Sequence, residues 1–94
     1  MKTFPINLLF DETKHCLVVG GGKVATRKIQ KLSQTESQIT VIAPQISKTI
    51  FELSHNNNIT IIERSFEDND LNNIFLVFAT SNDKTLNQKI INKR

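Results

Sequence analysis

The sequence is poor in the residues that mark several protein classes. It has one cysteine, Cys16, so no internal disulfide can form, which fits a reducing compartment. Trp and Tyr are absent and the basic residues are scattered, whereas nucleic-acid binding uses a dense basic patch with stacking aromatics. No apolar run reaches the length of a membrane span, and the first residues lack the apolar stretch of a secretory signal. We therefore expect a cytoplasmic protein that binds neither nucleic acid nor membrane.

Size and composition point to one small globular domain. The chain has 94 residues, of which 38% are hydrophobic and 22% are charged, as is ordinary for a folded soluble domain. The net charge of +3 permits an anionic ligand without requiring one. No cluster of His and Cys has the spacing of a metal site, and no complete catalytic set is recognisable. We predict no metal ligands and assign no catalytic residue.

Apolar runs that read as buried strands alternate with segments that have helical periodicity. The predicted strands cover residues 15–19, 39–43, 59–62 and 74–79. Helices are predicted from the glycine turn to about Ser33, after an N-cap at Ser47, and after a cap at Asp83. The polar stretch of residues 67–73 holds at most one helical turn. This α/β alternation predicts a Rossmann-type open parallel sheet with strand order 3-2-1-4.

The pattern stops after the last predicted helix, where a full dinucleotide-binding fold would continue with further strands. We expect residues 1–94 to form one NAD(P)-binding domain, truncated at its C-terminus and belonging to the N-terminal part of a longer enzyme. Residues 5–10 are apolar enough to pack on this unit, and residues 56–58 are predicted to form a turn.

The turn Gly20–Ala25 matches the dinucleotide-binding pattern G-x-G-x-x-A. Gly20 allows a tight exit from the strand, Gly22 lets phosphates approach the backbone, and Ala25 lets helix and strand pack closely. The backbone N–H groups of Lys23 and Val24, at the start of the helix, are natural pyrophosphate donors. A Walker-type loop is excluded because no Gly-Lys-Ser/Thr completes it. A glycine-rich turn without a ligand remains the alternative.

The end of the second strand lacks the acidic residue that usually binds the adenosine ribose. The chain reads Ala43-Pro44-Gln45 there, so the backbone around Pro44 and the side chain of Gln45 would have to serve instead. These residues do not decide between NAD and NADP, although the absence of an Arg after Ala43 favours NAD. Alternatively, Pro44 simply ends the strand.

Polar residues follow the fourth strand, on the ligand side of such a sheet. Thr80 and Asn82 are candidates for cofactor contact, while the alternative is that Ser81–Asp83 only cap the last helix. Cys16 is predicted to be a core residue, and Asp68 and Asp70 are predicted to be solvated. The predicted cofactor-binding residues are Gly20, Gly21, Gly22, Lys23, Val24, Ala43, Pro44, Gln45 and Thr80.

The order of these motifs resembles that of precorrin-2 dehydrogenases, which also form the N-terminal module of siroheme synthases. The resemblance rests on Leu17–Lys28, Thr40–Pro44, Arg64–Phe66 and Phe78–Asp83, with Pro5-Ile6, Leu71 and Leu86-Asn87 in the expected order. It covers essentially the whole chain. Residues 81–83 keep only part of the family pattern after Thr80.

The resemblance implies NAD-dependent oxidation of precorrin-2 to sirohydrochlorin in siroheme biosynthesis, with cofactor contacts on Lys23, Val24, Pro44 and Gln45. The family's catalytic aspartate and dimerisation region would lie beyond Arg94, so we expect this chain alone to be inactive and the longer protein to be a homodimer. A bifunctional dehydrogenase and ferrochelatase, a dinucleotide-sensing regulatory module and an interaction protein with a vestigial glycine turn remain alternatives.

Overall fold

A computed structural model describes residues 14–55 and 58–93. The strands are β1 (His15–Val19), β2 (Gln38–Ile42), β3 (Ile59–Ile62) and β4 (Leu76–Ala79). The helices are α1 (Lys23–Leu32), α2 (Lys48–Ser54) and α3 (Lys84–Lys93), and a single 3-10 turn spans Asp68–Leu71. Our predictions for residues 5–10 and for residues 56 and 57 fall outside the described residues.

The four strands form one parallel sheet in the order β3-β2-β1-β4, which confirms the predicted topology. β1 lies at its centre, with Val18 opposite Val41 on one side and opposite Phe78 on the other. Cys16 and the three residues after it are buried, as expected of a central parallel strand. The chain leaves β1 towards β2 on one side and returns to β4 on the other, so the strand order reverses at β1.

Helices α1 and α2 cover one side of the sheet, which we call the first face. Ala25, Ile29 and Leu32 recur at helical spacing along α1 and are all buried, as the apolar stripe in the sequence predicts. Ile50 is the buried residue of α2. From the sheet, Cys16, Val18, Ile39 and Val41 join the same core cluster.

The opposite side, which we call the second face, is covered by the connection between β3 and β4 and by α3. Among the described residues its buried core is smaller and consists of Leu17, Val19, Ile42 and Ile90. Partly buried residues of the connection pack around it, among them Phe66, Leu71 and Ile74. In the described ranges, irregular chain therefore shares the cover of this face with α3.

β4 differs from the sequence prediction in two ways. β4 begins at Leu76, whereas the apolar run begins at Ile74; Asn73 has a left-handed φ of 62°, which turns the chain just before the strand. β4 is also only half-buried although it is strongly apolar, because within the described residues it is an edge strand.

The predicted caps have different outcomes. α2 does begin after Ser47, but the Ser47 side chain makes no capping hydrogen bond, and its Oγ lies 3.4 Å from Thr26 Oγ1 of α1. α3 begins directly after Asp83, whose Oδ1 accepts the Leu86 N–H at 3.1 Å as a helix cap should.

Candidate functional site

Gly20 is required by both its backbone conformation and its surroundings. Its φ of +140° is one that residues with a side chain rarely adopt, and a Cβ there would lie 2.6 Å from Thr80 Oγ1. The Gly20 N–H donates to the Ile42 carbonyl (3.0 Å), and the Thr80 N–H donates to the Val19 carbonyl (2.9 Å). The predicted tight exit from β1 is thus held between the ends of β2 and β4.

Gly21 is required by the loop that follows β2. A Cβ on Gly21 would collide with the carbonyl oxygen of Gln45, and the Gly21 carbonyl accepts the Ser47 N–H at 2.9 Å. Sequence reasoning included Gly21 in the site but gave it no separate role. The structure shows that this glycine fastens the β2–α2 loop to the glycine turn.

Gly22 is different because no contact among the described residues requires it to be a glycine. It is the N-cap of α1 with an extended φ of −102°, and a Cβ built there meets nothing within 4 Å. A residue with no side chain at this point leaves open space directly beside a helix N-terminus. That space fits the close backbone approach of a pyrophosphate.

Backbone N–H groups at the start of α1 are available to donate hydrogen bonds to a ligand in that space. Among the described residues, the N–H groups of Lys23 and Val24 have no hydrogen-bond acceptor, as is normal for a first helical turn without a side-chain cap. No acidic residue lies in this turn to compete for the positive end of the helix dipole. The first turn of α1 is thus suited to an anion.

A cleft of about 730 Å³ lies at the carboxyl ends of the strands, next to the glycine turn. This is where open α/β sheets bind ligands when the strand order reverses. Of the predicted cofactor residues, those that line it are Gly20, Gly21, Gly22, Ala43, Pro44, Gln45 and Thr80. Lys23 and Val24 are exposed and are not part of the lining; their expected contribution is through backbone N–H groups.

The segment after β4 both lines the cleft and caps a helix, so the two alternatives for it are not exclusive. Thr80 lines the cleft, but its Oγ1 donates to the Val19 carbonyl at 3.1 Å and so ties β4 to β1. Ser81 Oγ donates to Asn87 Oδ1 at 2.6 Å, and Asp83 caps α3. Asn82 is exposed in the lining.

Sequence reasoning missed further residues of the cleft wall. They are Val19, Ile42, Ile46, Ser47, Ser65, Phe66 and Leu86. Ser65 and Phe66 lie shortly after the end of β3. The general rule that ligands meet the carboxyl ends of strands, applied to β3 as well as to β1, β2 and β4, would have found them.

The expectation that Asp70 is solvated is wrong. Its carboxylate accepts two hydrogen bonds from Arg64, at 2.7 Å from Nη2 and 3.0 Å from Nη1, and its side chain is 9% exposed. The Arg64 hydrogen bonds are the main reason that the pKa of Asp70 lies below its ordinary value. The stabilisation from this pair is therefore present at neutral pH and is lost as pH falls through the lowered pKa.

Cys16 and His15 lie outside the cleft. Cys16 is buried in β1, as predicted for a core residue, and burial raises the pKa of its thiol. His15 Nε2 lies 2.6 Å from Thr40 Oγ1 within the sheet. In the part of the chain that the structure describes, no group of His, Cys, Asp and Glu is arranged to hold a metal ion, and no helix is long and apolar enough to cross a membrane.

The parallel sheet, the glycine turn and the cleft at the strand ends together define a Rossmann-type dinucleotide-binding domain. A family described as putative NAD(P)-binding matches residues 9–94, and the chain belongs to that family. The prediction of a nicotinamide dinucleotide, NAD, is thereby confirmed at the level of the family.

Among the individual proteins that the chain resembles are siroheme synthases. The chain is 46% identical over 77 residues to a siroheme synthase from Vesicomyosocius okutanii, and 42% identical over 89 residues to one from Pseudoalteromonas atlantica. These matches cover 82% and 93% of this chain but only 16% and 19% of those relatives.

A solved structure, "SirC, precorrin-2 dehydrogenase", aligns with a TM-score of 0.79 at 33% identity, over 94% of this chain and 43% of that one. The resemblance to precorrin-2 dehydrogenases and siroheme synthases is confirmed.

Proposed function

We propose that this chain is the cofactor-binding part of an NAD-dependent enzyme that oxidises precorrin-2 to sirohydrochlorin. The relatives support a role in siroheme biosynthesis, and the observation that carries the proposal is the open space at Gly22 beside the uncapped start of α1. In this reaction precorrin-2 loses two hydrogens, one as a hydride to NAD and one as a proton. NAD supplies the hydride acceptor, and the protein binds and orients both molecules.

Each part of the cleft has a proposed role towards the dinucleotide. The N–H groups of Lys23 and Val24 would hold the pyrophosphate over Gly22. Ala43, Pro44 and Gln45, at the end of β2, would contact the adenosine ribose. Gly20, Gly21 and Thr80 form the floor between the strands. The hydride transfer itself requires a substrate-binding part, which we propose that the longer protein supplies as a homodimer.

Substitution of Gly22 tests this proposal with a matched pair of variants. Asp and Asn are both good N-cap residues, so Gly22→Asp and Gly22→Asn should both preserve α1. Only Asp places a negative charge beside the proposed pyrophosphate site. We expect Gly22→Asp to weaken NAD binding by about 100-fold or more, and Gly22→Asn to weaken it by roughly tenfold through bulk alone.

Calorimetric titration of the chain with NAD, NADH and NADP measures binding, and NADH formation from NAD and precorrin-2 measures turnover in the longer protein. Normal turnover by Gly22→Asp would refute the proposal. Sedimentation of the longer protein checks the homodimer.

One observation favours a dinucleotide-sensing module as a second candidate. Among the described residues that line the cleft, Asp83 is the single ionisable side chain, and it is engaged in capping α3. The cleft as described can thus bind a ligand but offers no free acid or base. Tight NAD binding by the longer protein, together with no oxidation of precorrin-2, would favour the sensor over the enzyme.

A further inference from the structure

The connection from β3 to β4 crosses the second face with very little regular structure. Parallel strands are usually joined through an α-helix, whereas residues 63–75 contain only the 3-10 turn Asp68–Leu71. Such a turn has poorer hydrogen-bond geometry than an α-helix and is stable only in short pieces. Other interactions must therefore determine the path of this segment across the sheet.

A closed set of hydrogen bonds around Arg64 supplies that order. The guanidinium donates to both oxygens of Asp70 in a fork, and its Nη1 also donates to the Ser65 carbonyl at 2.9 Å. Asp70 Oδ2 accepts the Glu67 N–H at 2.7 Å. The chain between Arg64 and Asp70 is thus closed into a ring by a planar, two-point contact, which fixes orientation as well as distance.

The ring encloses two residues of the cleft wall. Ser65 and Phe66 both line the cleft, and Phe66 also packs against the core of the second face. Neither Arg64 nor Asp70 lines the cleft itself. The ion pair is therefore not part of the cleft wall, and it is connected to the wall through the segment that it closes, which contains both Ser65 and Phe66.

We propose that the Arg64–Asp70 pair positions the Ser65–Phe66 wall for the dinucleotide, a role that rests on the proposed cofactor function of the cleft. Without the fork, this segment samples other paths, and NAD binds only the fraction of molecules in which the wall is in place. The apparent dissociation constant rises as the inverse of that fraction. A competent fraction of about 10–30% corresponds to binding that is about 3- to 10-fold weaker.

Four variants test the pair, with calorimetric NAD affinity and thermal stability measured on each. We expect Arg64→Gln and Asp70→Asn each to weaken NAD binding by about 3- to 10-fold, and the double variant to be no weaker than either single one, since each already opens the ring. Arg64→Lys should recover only part of the affinity, because an ammonium group cannot form the fork. The matched control is Glu63→Gln, which also removes one negative charge, from an exposed residue that precedes the ring and does not line the cleft, and it should bind NAD as the unmodified chain does.

A Phe66→Ala background separates positioning from folding. In a Phe66→Ala background the wall is already lost, so Asp70→Asn should add little further loss of NAD affinity. If the pair acts only on stability, the melting temperature falls while the folded protein keeps its NAD affinity, and that result would overturn the positioning role. Additive losses in the Phe66→Ala background would overturn it as well. If the unmodified chain and the longer protein both fail to bind NAD, the proposed function itself fails, which is a distinct outcome.

Discussion

The two faces of the sheet are covered by different kinds of secondary structure. The first face is covered by α1 and α2, and its core includes eight buried residues: Cys16, Val18, Ala25, Ile29, Leu32, Ile39, Val41 and Ile50. The second is covered by α3 and a connection with one 3-10 turn, and in the described part of the chain its core has four buried residues: Leu17, Val19, Ile42 and Ile90. Regular helices bury apolar stripes efficiently, whereas the irregular connection relies on the polar ring around Arg64. We therefore expect the part of the cleft wall built on the first face to be more stable than the part formed by the connection on the second face.

The largest expected effect is the loss of a core side chain on the first face. Ile29 is fully buried between α1 and the sheet. We expect Ile29→Ala to lower the free energy of unfolding by about 3–4 kcal/mol, since rigid helices on this face cannot collapse into the cavity. Urea unfolding with an unchanged m-value measures it. A loss below about 1 kcal/mol would show that the first face is not the firmer one.

The corresponding change on the second face should cost less. Ile90 of α3 is also fully buried, but its neighbours in the connection are only partly buried and have room to adjust. We expect Ile90→Ala to cost about 2 kcal/mol, at the lower end for such truncations. The same urea experiment compares it directly with Ile29→Ala. Equal losses at the two positions would break the distinction between the faces.

The smallest expected effect concerns the cap of α3 on the second face. Asp83→Ala removes the acceptor of the Leu86 N–H and should cost about 1 kcal/mol. Hydrogen exchange should show faster exchange of the Leu86 amide, while amides of β1 stay protected. Asp83→Asn is the control, because Asn caps nearly as well. Unchanged exchange at Leu86 in Asp83→Ala would mean that the bond contributes nothing.

Much of the first face was predictable from the sequence, and little of the second was. The stripe of Ala25, Ile29 and Leu32 follows from helical periodicity, and the strand order follows from the alternation of elements. The connection over residues 63–75 has no hydrophobic periodicity from which a helix or strand could be predicted. Its path depends on the contact between Arg64 and Asp70, which no local sequence pattern indicates. The same reasoning placed Asp70 in solvent, because a polar turn is usually solvated.

The candidate site divides in the same manner. The glycine turn has a local signature, and sequence reasoning assigned separate roles to Gly20 and Gly22. Gly21 must be a glycine because a Cβ there would collide with the Gln45 carbonyl oxygen, which is distant in sequence. Ser65 and Phe66 reach the cleft only because β3 ends at the same edge of the sheet as β1. Contacts of this kind follow from the assembled sheet rather than from any short stretch of chain.

The contact between Gly21 and the loop after β2 has a consequence for redesign. The Gly21 carbonyl holds the Ser47 N–H, so the length of the β2–α2 loop is fixed by the turn that faces the proposed phosphate site. Inserting residues after Ala43 to change the coenzyme preference would therefore also disturb the glycine turn. Replacements at Pro44 or Gln45 that keep the residue count leave this bond in place. A change of coenzyme preference should therefore be attempted by substitutions that keep the length of the β2–α2 loop.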